Sequence, residues 1–98
     1  MDETAERPRG EVRDNPARSR YELAVEGKVA IADYRLAGGT IAIPHTFVPP
    51  ELRNRGVGSR LVEGVLADAR ARGLKVVPQC PFVAAFIRRH REFQDLIA

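Results

Sequence analysis

Alternation opens the patterned part of the chain. In "RYELAVE", Tyr21, Leu23 and Val25 take one face and Glu22, Ala24 and Glu26 the other. That period of two is what a half-buried strand requires. "EGK" supplies a turn and "VAIADYRL" a hairpin partner. "AGG" turns the chain again. "TIAIPHTFV", residues 40–48, then predicts a third strand with Ile41, Ile43, His45 and Phe47 on one face. Pro49 and Pro50 end the ladder, because proline has no amide hydrogen to give it.

At Val57 the period changes. Val57, Leu61, Val62, Val65, Leu66 and Ala69 fall on one stripe at helical spacing. Gly73 closes that helix, with Arg70 and Arg72 placed to face its negative end. "LKVVP", residues 74–78, predicts a fourth strand, and "PFVAAFIRRH", residues 81–90, a second helix with proline in its first turn. Phe93, Leu96 and Ile97 in the tail are expected to pack back on the core. Residues 1–17 are polar, with Pro8, Gly10 and Pro16, and read as a flexible leader. Residues 18–98 read as one domain.

The third strand, long helix and fourth strand form a crossover unit, which is right-handed and makes its two strands parallel. The earlier strands, joined by short turns, are antiparallel. The expected fold is α/β (α+β): a mixed sheet of four strands with at least two helices. Pro44 and Pro78 lie in the two strands that flank the long helix. Proline inside a strand marks an edge, a bulge or a break. Both are accommodated if the two strands diverge and leave a wedge, the kind of place where ligands sit in parallel sheets.

Composition narrows the function classes. The 98 residues are 44% hydrophobic and 30% charged, ordinary for a globular protein. The longest strong apolar run, "FVAAFI", is far too short to span a membrane. The N-terminus has no apolar stretch of a secretory signal, so a cytoplasmic location is expected. The lone Cys80 permits no internal disulfide, and two histidines with one cysteine are too few for a typical zinc site. The net charge of +3 is unevenly spread. Residues 53–91 hold nine basic side chains against two acidic ones, which favours a polyanionic partner.

That charge gathers at "LRNRGVGSRL", residues 52–61, where the long helix begins. The first amides of a helix have no internal partner and sit at the positive end of its dipole. Gly56 and Gly58 let the backbone curl and let an anion approach. The spacing is neither that of a Walker loop nor that of the dinucleotide fingerprint. Arg53-Asn54-Arg55-Gly56-Val57-Gly58, read as Arg/Gln-x-x-Gly-x-Gly/Ala between a strand and a helix, resembles the acetyl-coenzyme A loop of the GNAT N-acetyltransferase superfamily. "HTFVPPELRNRGVGSRLVEGVLADARARGLKVVPQCPFVAAFIRRH" is similar, nearly end to end, to a group of very small GNAT-like proteins.

The resemblance implies a minimal acetyl-coenzyme A-binding domain over residues 18–98 and transfer of an acetyl group to an amine. By position, the coenzyme A pyrophosphate would be held by the amides of Arg55, Gly56, Val57, Gly58, Ser59 and Arg60. Arg53 and Asn54 belong to the same loop. The pantetheine arm would lie in the wedge against backbone of Phe47 and Val48. The chain also departs from the superfamily pattern. It lacks the helices that larger members place after their first strand. Arg88 stands where many carry a tyrosine acid, and Phe47 where many small relatives carry a glutamate.

Acetyl transfer needs a neutral amine. A lysine-like amine titrates at about 10.4, so deprotonation at pH 7 costs roughly 4.6 kcal/mol, against about 2 kcal/mol for a thiol to leave as thiolate. The base therefore matters more than the acid, and a positioned one contributes roughly 10²–10⁴-fold. His45 is the candidate base, near the end of the cofactor strand; its alternative role is a core histidine. Cys80, at the expected mouth of the wedge, could accept the acetyl group or touch the thioester; its alternative role is a small buried hydrophobe. His90, at a helix end, reads as a dipole-complementing residue. Two rival functions stand beside transfer: a coenzyme A-binding module without catalysis and, less favoured for want of an aromatic platform, a nucleic-acid-binding domain.

Overall fold

A computed structural model describes residues 11–98. Five strands form one sheet in the order β1 (Val12–Asn15), β2 (Arg20–Val25), β3 (Lys28–Ala37), β4 (Thr40–Phe47), β5 (Lys75–Val77). The first four are mutually antiparallel and β4–β5 is parallel. Helix α1 (Val57–Ala71) crosses from β4 to β5, and α2 (Pro81–Arg89) follows β5. Both hairpins close with two-residue loops in left-handed backbone, Glu26–Gly27 and Gly38–Gly39, the turn geometry that matches strand twist. No helix among the described residues is long and apolar enough to cross a membrane.

The sheet has one strand more than the four expected. Of the segment read as a flexible leader, residues 1–10 lie outside the described residues, but Val12–Asn15 pairs with β2. Little of this strand is apolar, which is why its pattern carries no signal. It is held by partners far along the chain. The Tyr34 hydroxyl donates to Asp14 (2.7 Å), Asn15 donates to Glu22 (3.0 Å), and Val12 packs over Gly64 of α1.

One sheet face makes the core. Tyr21, Leu23, Ala30, Ala32, Ile41, Ile43 and Val76 are buried there, against Val57, Leu61, Val62, Val65, Leu66 and Ala69 of α1 and Val83, Phe86 and Ile87 of α2. The helical stripe therefore lies where its spacing placed it. At the far end of α1 the amide of Leu74 donates to Ala69 and that of Gly73 to Arg70 (2.9 and 3.1 Å), with Gly73 left-handed. This is a Schellman cap. Arg70 then grips Asp95 with two hydrogen bonds and fixes the C-terminal 3-10 turn (Arg91–Leu96), whose Phe93 and Leu96 are buried. Arg72 reaches Asp68, Asp14 and the Tyr21 hydroxyl, and Tyr21 donates to Asp68.

The expected single face of β4 is broken by a bulge. Asp33 pairs with His45 and Arg35 with Ala42, so Tyr34 opposes both Ile43 and Pro44. A bulge admits proline and shifts the side-chain phase. Ile41 and Ile43 face the core, while His45 and Phe47 point to the open face and Thr46 turns inward. His45 is therefore not a core histidine. The opposite sheet face is exposed, with Val29 and Phe47 each 42% accessible.

Candidate functional site

β4 and β5 stay paired over only three residues, Thr40–Ala42 against Lys75–Val77. Pro78 follows the last of them. The amide of Gln79 turns back to the Val77 carbonyl, and that of Cys80 bridges to Ile43 (2.8 Å). β4 runs on to Phe47 with β3 alone, so a gap opens beside its second half.

Beyond β4 the chain makes a 3-10 turn at Pro50–Leu52 that buries Leu52, then curls through left-handed Asn54 and Gly56 into α1. No side chain caps this helix start. The first backbone bond of α1 runs from the Arg60 amide to the Gly56 carbonyl (3.1 Å). The amides of Val57, Gly58 and Ser59 precede it and are the orphan donors of the helix end. These three residues line a cavity of about 280 Å³ with Val48, Leu52, Arg53, Asn54, Gly56 and Phe82. Just behind them Arg60 carries a buried Nε with no partner. Such an atom in a native fold calls for an explanation.

The two glycines act differently. Gly56 is needed for its backbone, at φ 76, and open space surrounds the position a Cβ would take. Gly58 has ordinary helical backbone, but a Cβ there would lie 3.0 Å from the Phe82 ring. It is small so that Phe82 can close one side of the cavity.

Several expected contacts are already engaged. The Arg60 amide is used within the helix, so it leaves the set of free donors. Arg55 turns away to Glu26 in a bidentate pair (2.6 and 3.2 Å), which lowers the Glu26 carboxyl by hydrogen bond and charge. Arg53 donates to the Val48 carbonyl (2.8 Å) and lies over the Phe47 ring (5.8 Å). One of the two lone pairs of the Val48 carbonyl is thereby taken. Phe47, Arg55 and Arg60 do not line the cavity.

At the other end of the gap, Cys80 precedes Pro81 at the start of α2 and is 7% exposed. Burial pushes its thiol up, but hydrogen bonds from the Thr46 hydroxyl and from the amides of Val83, Phe82 and Thr46 outweigh that, and the net position is below the ordinary thiol value. Thr46 Oγ1 lies 3.5 Å from Sγ. His45 pairs through Nδ1 with Asp33 Oδ2 (3.2 Å) on the open face. Adjacent strand residues point oppositely. His45 and Cys80 therefore flank β4 from opposite sides rather than meeting. Both tyrosines sit in the core and donate to carboxylates, Tyr21 to Asp68 and Tyr34 to Asp14, so neither serves the gap as an acid. His90 stacks on Phe86 at the far end of α2.

Comparison with known proteins decides the family. A family model described as GCN5-related N-acetyl-transferase matches residues 20–96. The chain belongs to the GCN5-related N-acetyltransferase family. An NMR solution structure of a Staphylococcus aureus protein, described provisionally as a GCN5-like N-acetyltransferase, is similar to it. That protein is 26% identical with a TM-score of 0.71, over 92% of this chain and 89% of the other. The family and the shared fold support an N-acetyltransferase, and bear out the fold read from the loop motif. Within this GCN5-related N-acetyltransferase, sequence reasoning missed Leu52, Phe82, Thr46 and Asp33. Phe82 reads from the sequence as one of an α2 stripe with Val83, Phe86 and Ile87; it is exposed instead, and no sequence signal marked its place in the cavity.

Proposed function

We propose that the protein binds acetyl-coenzyme A and transfers the acetyl group to a primary amine. One observation carries this reading: Val57, Gly58 and Ser59, whose amides are uncapped, line a cavity beside the gap between β4 and β5. A diphosphate matches such donors in charge and geometry. The unpartnered Arg60 Nε lies within one turn of them, and the unpaired edge of β4 offers backbone groups to an amide-bearing arm.

Acetyl-coenzyme A supplies the activated acyl group; the chain supplies position and proton transfer. Val57, Gly58 and Ser59 would hold the diphosphate by backbone. The Val48 amide and Phe82 would guide the arm into the gap, with Asn54 and Gly56 shaping the turn. His45 would take the proton of the incoming amine. With Nδ1–H directed to Asp33, its Nε2 is the accepting atom. Cys80, a thiol more acidic than usual, would return a proton to the departing thiolate. The same thiolate character supports a second route in which Sγ takes the acetyl group first and passes it to the amine.

The open sheet face, with no helix over His45 among the described residues, suits an acceptor presented on a chain or a surface. The experiment mixes protein, acetyl-coenzyme A and a panel of amines and measures released thiol. Release above buffer with at least one amine supports transfer. Binding without release from any amine supports a coenzyme A-binding module instead. Intact mass of Cys80→Ser beside the unsubstituted chain separates the routes: an acetyl adduct present only with Cys80 favours the covalent one.

A further inference from the structure

The open face of the sheet carries an apolar patch that nothing among the described residues covers. Val29 and Phe47 are each 42% exposed, Ala24 is exposed and Ile31 half-buried. Ile31 lies opposite Phe47, and Ala24 opposite Val29. Cross-strand partners on one face bring their Cβ atoms to roughly 4.5–5.5 Å, so the four side chains make one continuous surface across β2, β3 and β4. His45 precedes Phe47 by two residues on the same face, about 7 Å along the strand. Its partner Asp33 stands in the same relation to Ile31. The imidazole–carboxylate pair therefore sits at one end of the patch, and Val29 at the other.

Charge around the patch is uneven. β1 to β4 place Arg13, Arg20 and Arg35 on this face against Glu22 and Asp33, and Arg53 lies over the Phe47 ring. Glu22 is already taken by Arg20 (2.8 Å) and Asn15 (3.0 Å). Of these groups, Asp33 is left as the carboxylate that can draw in an ammonium, beside His45. A second cationic end on the same molecule would meet arginine or apolar surface, where an unpaired charge is costly.

We propose that the acceptor is a single primary amine at the end of an apolar chain, with the amine at His45 and the chain laid over Phe47, Ile31 and Val29. The inference rests on the transfer reading above, in which His45 takes the proton of the amine. The reaction is the same: the nitrogen bonds the acetyl carbon, the carbon–sulfur bond breaks, and the departing thiolate takes a proton. What the patch adds is choice of acceptor. It selects monoamines with an apolar body and rejects polyamines and lysine-rich segments, and Phe47 is the residue nearest the amine that sets this preference.

The test is a series of primary alkylamines, from propylamine to decylamine, with thiol release measured at saturating acetyl-coenzyme A. Full burial of a methylene is a gain of about fourfold, so a chain half-buried on a surface should raise kcat/KM by about twofold per methylene. Hexylamine should exceed 1,5-diaminopentane, its equal in length, by roughly tenfold or more. Phe47→Ser should flatten the whole series and Val29→Ser only its long members. Circular dichroism of both variants should match that of the unsubstituted chain, since both side chains are exposed. Transfer without dependence on chain length, a diamine as good as hexylamine, transfer only to amines outside the series, or a dependence that survives both substitutions overturns the inference and leaves acetyl transfer standing. Transfer to no amine at all overturns the transfer reading, and this one with it.

Discussion

Replacing Gly64 by alanine sets two effects of known size against each other. Gly64 lies in the interior of α1, where alanine is favoured over glycine by about 0.8–1.0 kcal/mol. On propensity alone the variant should be more stable. A Cβ at this position, however, would lie 2.6 Å from Val12 Cβ and closer still to Val12 Cγ2. Val12 Cβ is attached directly to the backbone of β1, so a rotamer change gives no relief. The strand itself must lift, and with it the Asp14–Tyr34 and Asn15–Glu22 bonds that hold it. Overpacking of this kind costs roughly 1–3 kcal/mol. The net expectation is destabilisation by about 1 kcal/mol, or roughly 4–8 °C in melting temperature for a domain of this size. Urea denaturation reads the change as a shift in midpoint at constant slope. Val12→Gly provides the internal control. In that background the clash is gone and Gly64→Ala should become stabilising. A stabilising Gly64→Ala in the unsubstituted chain, or the same sign in both backgrounds, refutes the packing of β1 on α1.

Three further predictions touch the site and its surroundings. Gly56→Ala keeps open space around the new methyl but forces φ 76 on an L-residue; it should cost about 1–2 kcal/mol and weaken coenzyme A binding, whereas an unchanged affinity would show that this turn does not shape the anion site. Asp33→Asn should lower the rate of acetyl transfer without changing the affinity for acetyl-coenzyme A, since Asp33 acts through the orientation of His45; a changed affinity with an unchanged rate would count against the pair. Burial, and then the bond to Asp14, push the Tyr34 hydroxyl up to about 12. Its protonated form is the folded one, so its contribution is full below about pH 10, where the unfolded phenol begins to ionise. The contribution falls as pH rises toward 12, and absorbance of phenolate during alkaline titration should show no ionised Tyr34 in the folded chain near pH 10.

Much of the fold was legible because its signals are local. Two-residue turns with glycine, a six-residue helical stripe and a proline at a helix start each act within a few positions. The features that suggest an anion loop were legible for the same reason: orphan amides and glycines belong to one short segment. What escaped the sequence depends on distant partners. β1 is tied down by Tyr34, Glu22 and Gly64, and nothing in "VRDN" records them. The bulge opposite Tyr34 is a two-strand event, and it reversed the faces of His45 and Phe47. Arg55 and Arg53 looked like ligand-binding cations until their partners Glu26 and Val48 came into place. Phe82 became part of the cavity only because Gly58, in a different helix, makes room for it.

The amides of Val57, Gly58 and Ser59 can be watched directly, by recording ¹⁵N–¹H correlation spectra of the chain while coenzyme A is added. Saturable shifts largest at those three amides, with Glu22 and Leu23 on the far strands unmoved, are what a diphosphate seated at the start of α1 produces. Saturation with those three amides unshifted, or no saturable change at all, would contradict it.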